Sequence, residues 1–546
     1  MIGVVASEDR REIVRDFFQL FKTPWEFLRH GRHYDVAIVA GSSSPAVDAP
    51  LAIYYSSIPT AFDSDNGLET TTIGDGQLLT YDSASFPVYT GALGFRAGKP
   101  HLLKSSMANQ AVAVEIRNKE KTVIRLGYDL FAEVEYLLTK GQPISFAQIP
   151  TLDHHINLLR GLIVGGGFKL IEIPPAPRNS KFIVCLTHDV DFFGIRRHLL
   201  DKTFFGFLYR ASIGSLLGFF KKRIPLGRLF RNWSAVLKLP FVYLGLARDF
   251  WIQLKGYIEI EGSLPSTFFF VPFKGRPGMA ENGTAPKTRG VKYKFAEIAG
   301  ELKPLLSSGR EIALHGIDAW IDSARGKREL SEVASVSGQA QVGVRMHWLY
   351  FNEKSPRLLQ DAGFAYDSTL GYNEAVGFKT GTAQAFCLPS GGGLMELPLI
   401  VMDTALFYPD RMNLPEDQAW DILQGVVKHL EQSGGVLTIN WHHRSIAPER
   451  LWDDFYVRLL DDFKKRGAVF LTMSQAVGWF QKRRSARFAT PTNDPGGISL
   501  KIPVSDQELG EGDEASPTLT LRVHSPTPNK ELDQIRHSYY EDAEIP

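Results

Sequence analysis

Cysteine is nearly missing from this sequence: Cys185 and Cys387 are the only two in 546 residues, and neither sits in a CxxC or zinc-finger spacing. That excludes a disulfide framework and a cysteine-based zinc module, and it makes a reducing compartment the expectation. Net charge is missing too. Sixty-one Lys and Arg against sixty Asp and Glu leave +1, so no whole-molecule field draws the chain to nucleic acid, and no such partner is expected. Long apolar runs are scarce: the nearest, Phe204 to Phe220, carries Arg210 and several small residues and reads as too short to span a bilayer. The opening MIGVVASEDRREIV lacks a basic segment followed by an apolar core and a cleavage site. A cytoplasmic chain is expected, with peripheral attachment at the inner face of the membrane as the alternative.

What is present is the composition of a folded enzyme-sized protein, 44% hydrophobic and 22% charged. The length exceeds one ordinary core and calls for two or three units. Short β-like runs at Ile2 to Ala6, Val36 to Ala40 and Leu51 to Tyr55 alternate with helical or polar stretches, so residues 1–175 read as an N-terminal α/β domain. A hairpin is expected where Val112 to Ile116 and Val123 to Leu126 flank Asn118-Lys119-Glu120-Lys121. Gly41-Ser42-Ser43-Ser44-Pro45 follows a strand and offers an anion cradle, though it matches no phosphate-binding motif. The prolines of Pro174-Pro175-Ala176-Pro177-Arg178-Asn179-Ser180 mark a linker.

Residues 181–483 alternate apolar strands with helical segments, the pattern of a parallel α/β barrel. Beyond about Arg484 the chain turns Pro-, Gly- and acid-rich. The segment 484–546 reads as a tail or small β appendage, with period-2 runs at Ile498 to Val504 and Thr518 to Val523 around an acidic loop, Glu508 to Glu514.

The chemistry lies at strand ends. In Thr187-His188-Asp189-Val190-Asp191, side chains two apart share a face, so Asp189 and Asp191 project together while His188 and Val190 turn away. Two carboxylates that close repel unless a cation or a proton sits between them. His315 follows the apolar strand Glu311 to Leu314, Arg345 and His347 share one period-2 phase, and His442-His443 ends the strand Gly435 to Asn440. Each alone reads as readily as an ordinary polar residue. Four strand ends in chain order presenting Asp/Asp, His, Arg/His and His make a site, and imidazole with carboxylate suits zinc or another divalent first-row metal.

These motifs resemble the polysaccharide deacetylase family, also called NodB-homology or carbohydrate esterase family 4, over roughly 300 residues and in divergent form. The family's first motif, TFDDG, becomes THDVD. The resemblance implies Asp189 as catalytic base and Asp191 as metal ligand. The second motif, H[ST]xxH, is matched by His315, but position 319 is Ala319. Either another side chain completes the metal site, His347 first and Asp318 second, or metal binding is weak or absent.

The third motif is similar to Gly343 to His347 followed by a helix and the strand Gly363-Phe364-Ala365-Tyr366-Asp367-Ser368. It implies that Arg345 orients Asp189 and holds it ionised. The last, L-x-H, resembles Ile439-Asn440-Trp441-His442 and implies His442 as general acid, with His443 as the alternative.

The implied fold is a distorted parallel (β/α) barrel of the NodB type. The implied activity is hydrolysis of N-acetyl groups on a polysaccharide or glycan precursor, using zinc or else cobalt, nickel or manganese. A non-catalytic glycan-binding protein on the same barrel, or a hydrolase of a small non-sugar amide, are the alternatives.

One stretch fits neither motif nor barrel. From Phe192 to Phe250 there are eleven Lys and Arg against Asp201 and Asp249, mixed with an aromatic cluster from Phe204 to Phe220. The plain reading is a pair of helices covering the barrel with their cations on the solvated face. The other is a membrane-interface element attracting anionic lipid, which would make the substrate lipid-linked or membrane-proximal.

Overall fold

The computed structural model describes residues 1–42, 45, 47–96, 102–118, 120–389, 392–489, 499–501, 517–526 and 539–544. Ser43 and Ser44 of the anion cradle, Lys119, most of the run from 498 to 504 and the acidic loop 508–514 lie outside these residues.

The strand Phe182–Val190 is buried at all nine positions. A strand with no solvated face belongs inside a parallel sheet covered on both sides, and it is central here. The sheet runs Val344–Met346, Glu311–Gly316, Ser266–Phe270, Phe182–Val190, Val436–Asn440, Leu399–Met402, with Ala468–Phe470 also on Phe182–Val190, every pairing parallel.

Helices cover it because the sequence starts and stops them cleanly. The Asp322 carboxylate caps Ser323–Ser337, which ends at left-handed Gly338, and Thr472 with Gln475 forms a capping box on Met473–Ser485. The result is a half-barrel. Between its outer strands the gap is crossed by isolated bridges from Asp367 to Val344 and Glu396. The expected strand from Gly363 to Ser368 is an extended segment whose backbone bonds to Val342 and Val344 on one side and to Met395 and Leu397 on the other, with bridges at Asp367, and where a distorted barrel was expected the structure shows a parallel α/β half-barrel with a thin seam.

Residues before this sheet build their own. Ala113–Arg117, Thr122–Leu126, Leu51–Tyr55, Val36–Ala40, Ile2–Val5 and Trp25–Phe27 lie side by side in that order, all parallel except the first pair, which is the expected hairpin. A second sheet of six short antiparallel strands spans residues 70–111.

The proline segment is not a free spacer: Pro174 to Pro177 are buried, and the Pro175 carbonyl accepts from Gly435 N at 2.7 Å. Backbone carbonyls left over at a turn bury well when a neighbour donates to them. Arg483 similarly donates to the carbonyls of Gln19, Leu20 and Ile173, tying the last helix to the first. Part of the tail returns as Thr520–Ser525 to pair with Leu170–Glu172.

The basic stretch folds as Lys202–Tyr209, a π-helical turn Arg210–Gly214 and Ser215–Phe220, then the long helix Leu226–Tyr243. Lys202–Phe220 is one helical run of 19 residues, long and apolar enough to cross a membrane by length and composition, which corrects the reading of this segment as too short. The helices do cover the domain, packing on Trp251. Their outer face is not the simple cationic surface expected, because leucines and aromatics occupy much of it.

Candidate metal-binding and catalytic cleft

Strand alternation sets the first groups. At the end of Phe182–Val190, His188 turns into the core, its ring nitrogens 2.8 Å from the Trp441 carbonyl and 2.8 Å from Glu261 Oε1. Asp189 and Asp191 turn the other way. Asp189 Oδ1 accepts from Arg345 Nη1 at 2.9 Å and Oδ2 from Asn440 Nδ2 at 2.7 Å. Two donors, Asn440 from the adjacent strand and Arg345 from the edge strand of the sheet, fix this carboxylate and leave Oδ2 a spare lone pair toward the cleft.

Arg345 is fully buried, and Thr187 Oγ1, Ser368 Oγ and the Ser368 carbonyl accept from it as well. A planar guanidinium with four of its five N–H donors engaged is held against Asp189.

His315 ends Glu311–Gly316. Its Nδ1 is 2.9 Å from the Arg345 carbonyl. A carbonyl only accepts, so Nδ1 carries a proton, and Nε2 is the nitrogen that faces the cleft. That Nε2 lies 3.3 Å from Asp191 Oδ1 and 3.7 Å from Asp189 Oδ2. His347 brings Nε2 to 3.4 Å from the same Asp191 Oδ1.

A twist in the backbone aims His347: Trp348 and Leu349 follow it with φ of 64° and 54°, a left-handed conformation that non-glycine residues adopt only when their surroundings impose it. Here Arg289 donates to the His347 carbonyl at 2.8 Å and Asn373 to that of Trp348 at 3.1 Å.

The electrostatics match a cation site. Burial drives the His347 imidazole well below its usual pKa, more than the Asp191 charge can restore, so it is neutral and able to ligate. Burial pushes Asp191 up, yet His347, His315 and His442 together hold its carboxyl far below the carboxylate range. Asp191 Oδ1 is buried and makes no hydrogen bond. A buried carboxylate oxygen without a donor, 3.3 Å from the Nε2 of His315, is costly unless a cation joins it. One ligand atom from each of Asp191, His315 and His347 lies within 4.8 Å of the others, and two imidazoles with one carboxylate fit a divalent first-row ion.

The gap at Ala319 has a local reason. Ala319 is in the core against Gly326, where an added Cβ would stand 3.2 Å from its own, and an imidazole has no room. Asp318, the other substitute considered, turns to Met279 N at 2.7 Å and Arg325 at 3.1 Å. Only His347 of the two joins the cluster.

Opposite the cluster, His442 Nδ1 sits 2.6 Å from Asp403 Oδ1, and its Nε2 points inward, 3.7 Å from Asp191 Oδ2. Burial opposes the imidazolium, but the Asp403 carboxylate outweighs it and raises the His442 pKa. His443 faces away. Its Nε2 accepts from Gln253 N at 2.9 Å, its Nδ1 donates to the Phe192 carbonyl at 3.2 Å, and its ring stacks on Phe193. Both nitrogens are occupied in packing.

So the structure brings together Asp189, Asp191, His315, Arg345, His347 and His442, and leaves His443 out. The sequence reading did not find Asp403 or Asn440. Asp403 had a signal, since it directly follows the apolar strand Leu399–Met402 as the other site residues follow theirs. Asn440 had none beyond its place in a strand. Asp189, Asp191, His315, His347 and His442 line a cleft of 530 Å³ together with Trp348, Asn373 and Tyr408 and with His198, Lys202 and Thr203, and Arg345, Asn440 and Asp403 hold Asp189 and His442 in place from outside that lining.

No protein-family model and no curated protein matches the chain. Among solved structures it is similar to a putative polysaccharide deacetylase from Mycobacterium smegmatis, at 21% identity and TM-score 0.35, over 57% of this chain and 95% of that one. It is similar to Agd3, described as a novel carbohydrate deacetylase, at 8% identity and TM-score 0.33, over 96% of this chain and 90% of that one. A family 4 acetyl xylan esterase from Clostridium thermocellum in complex with a cobalt ion matches at 12% identity and TM-score 0.26, over 54% of this chain and 91% of that one. At such values the chemistry has to come from the side chains themselves.

Proposed function

We propose that the protein is a metal-dependent amidohydrolase that removes N-acetyl groups from a sugar polymer or glycan precursor, on a divergent deacetylase scaffold. The observation that carries this reading is the unpartnered Asp191 Oδ1 between two imidazole nitrogens at 3.3 and 3.4 Å. An orienting pair, Arg345 with Asp189, stands on one side of it and an acid pair, Asp403 with His442, on the other.

Asp191, His315 and His347 would hold the ion, zinc first and cobalt, nickel or manganese as the other candidates. When bound, a divalent ion supplies a Lewis acid that polarises an acyl oxygen and lowers the pKa of a nearby water. The remaining work falls to this chain's own groups. Asp189, locked by Arg345 and Asn440, takes a proton on Oδ2 as a water oxygen attacks the acetamide carbon. His442, charged through Asp403, gives its Nε2 proton to the amide nitrogen. That nitrogen is otherwise too poor a leaving group, and once protonated the C–N bond breaks to yield acetate and a free amino sugar. Trp348, 39% exposed in the wall, offers a flat apolar face for a sugar ring.

The test combines calorimetric titration of zinc or cobalt with acetate release from N-acetylglucosamine oligomers. Wild-type protein should bind the ion and release acetate. Asp189→Asn and His442→Ala should still bind the ion and lose turnover. If neither ion binds, or Asp189→Asn turns over at the wild-type rate, the reading fails. Oligomer binding with no turnover by wild-type, metal-loaded protein would favour the non-catalytic glycan binder instead.

A further inference from the structure

We propose that the helical insertion between Phe192 and Phe250 is a membrane-docking surface, which lays two exposed apolar helix stripes into the interface of an anionic bilayer. Of the twenty-one exposed large hydrophobic residues described, fourteen lie between Leu199 and Leu246. Single exposed apolar residues are ordinary, but this concentration is not.

Their spacing is regular. Phe205, Tyr209, Ile213, Leu217 and Phe220 recur about every four residues along the first helical run, and Phe207, Ala211 and Ser215 are buried on its opposite side. Leu226, Phe230, Trp233, Leu237, Phe241 and Leu244 repeat the pattern on the second helix, with Asn232, Ala235, Leu239 and Val242 buried behind. A helix lying on a water-soluble domain needs one apolar stripe. These two helices have two stripes each, and the outer ones face outward: Phe220, Leu237, Leu244 and Leu246 are each more than 70% exposed.

The cations divide by face and say what covers the stripes. Arg210, Arg228 and Arg231 pair with Glu449, Glu416 and Asp453, holding the helices on the domain. Lys221, Lys222 and Arg223 sit in the turn between the helices, with Lys202 and Lys238 nearby in sequence, and none of these five has an ion-pair partner among the described residues. Apolar stripes edged by unpaired cations complement a surface that is oily inside and anionic at its rim. A second copy of this chain is a poor occupant, since it would bring the same eleven cations to face these.

Spanning is also a poor fit, although Lys202–Phe220 has the length for it. Arg210 at its middle is tied to Glu449, and Phe207 with Ala211 is packed on the domain. Lying in the interface leaves those contacts intact.

The cleft is lined in part by this insertion: His198, Lys202 and Thr203 belong to its lining, and Leu199 and Leu200 between them are exposed. A substrate reaching the cleft from the bilayer would carry its sugar on a lipid. That consequence, unlike docking itself, rests on the hydrolase reading above.

Docking is tested without turnover. Full-length protein is sedimented with vesicles of phosphatidylcholine plus phosphatidylglycerol and with pure phosphatidylcholine. Brominated lipids are used to quench Trp233, with Trp233→Phe as the blank. The expected result is salt-weakened binding to the anionic vesicles and quenching that Trp233→Phe loses. Lys221→Glu/Lys222→Glu/Arg223→Glu should weaken binding by at least about 100-fold at low salt. Leu237→Glu/Leu244→Glu should abolish binding, while acetate release from soluble oligomers stays unchanged.

Absence of binding by natively folded protein would overturn the proposal. Equal binding to pure phosphatidylcholine, retention through an alkaline carbonate wash, or a concentration-dependent dimer that Leu237→Glu dissolves would overturn it too. These outcomes would point respectively to charge-independent adsorption, a spanning helix and a second copy. Loss of turnover with docking intact would count against the hydrolase reading alone.

Discussion

The site residues and the insertion that lines part of their cleft follow opposite rules. Around the site, nearly every polar atom has a partner inside the protein: Arg345 donates to Asp189, Thr187 and Ser368, and Asn440 closes on Asp189. Asp191 Oδ1 is an acceptor without one. In the insertion the leftover groups are apolar side chains at the surface and unpaired cations beside them. Unmet bonding capacity in a folded protein points to what it meets. A lone pair in a cage of imidazoles points to a small cation, and oily stripes fringed with charge point to a large flat partner.

The sharpest way to break this comparison is turnover. Asp189→Asn keeps the shape and one acceptor but removes the base, so kcat of the folded, metal-loaded protein should fall by about 10²- to 10⁴-fold. Next comes stability. Leu314 is fully buried beside His315 and Leu237 is largely exposed. Thermal or denaturant melts should therefore show Leu314→Ala costing about 2–5 kcal/mol and Leu237→Ser under about 0.5 kcal/mol. Equal costs would mean that the outer stripe is covered within the protein itself.

Zinc at about 100 times its dissociation constant should then stabilise the wild type by about 2.7 kcal/mol in melts, and His347→Ala should lose that gain. Smaller is a shift in pH profile. Asp403 raises the His442 pKa, so in Asp403→Asn the acid deprotonates earlier and the alkaline limb of kcat/KM should move to lower pH.

Smallest is the seam. Asp367 and Glu396 meet there, each with one buried carboxylate oxygen lacking a hydrogen bond. Burial, then their mutual repulsion in the case of Glu396, pushes both carboxyl groups up. A raised carboxyl pKa favours the folded state below the ordinary carboxylate pKa, and that stability is lost as pH rises through the folded value. Glu396→Gln should flatten the decline of stability that sets in as pH rises above the ordinary carboxylate range, by about 1 kcal/mol, read from denaturant melts at each pH.

Much of the site was legible because strand alternation is local. Two residues apart means one face, and that alone put Asp189 with Asp191 and turned His188 away. Adjacent histidines had to diverge, but which of His442 and His443 faced the cleft depended on Asp403 and on Phe192 and Gln253 from distant segments. The half-barrel was not legible. Whether Gly363 to Ser368 makes a full strand is decided by its neighbours across the seam, Val342 to Val344 on one side and Met395 to Leu397 on the other, and these pair with it as bridges at Asp367. The proline segment misled for a similar reason: its composition says exposed, and its burial comes from Gly435 and the tail.

By itself the sequence determined the chemistry on offer at each strand end and the local excess of cations in the insertion, because side-chain type and period are properties of a few consecutive residues. Only the tertiary structure decided that His347 takes the place Ala319 cannot fill, that Asp403 stands behind His442, and that the second apolar stripe of each insertion helix is left uncovered. These are contacts between segments tens to hundreds of residues apart, and no local period encodes which of them will meet.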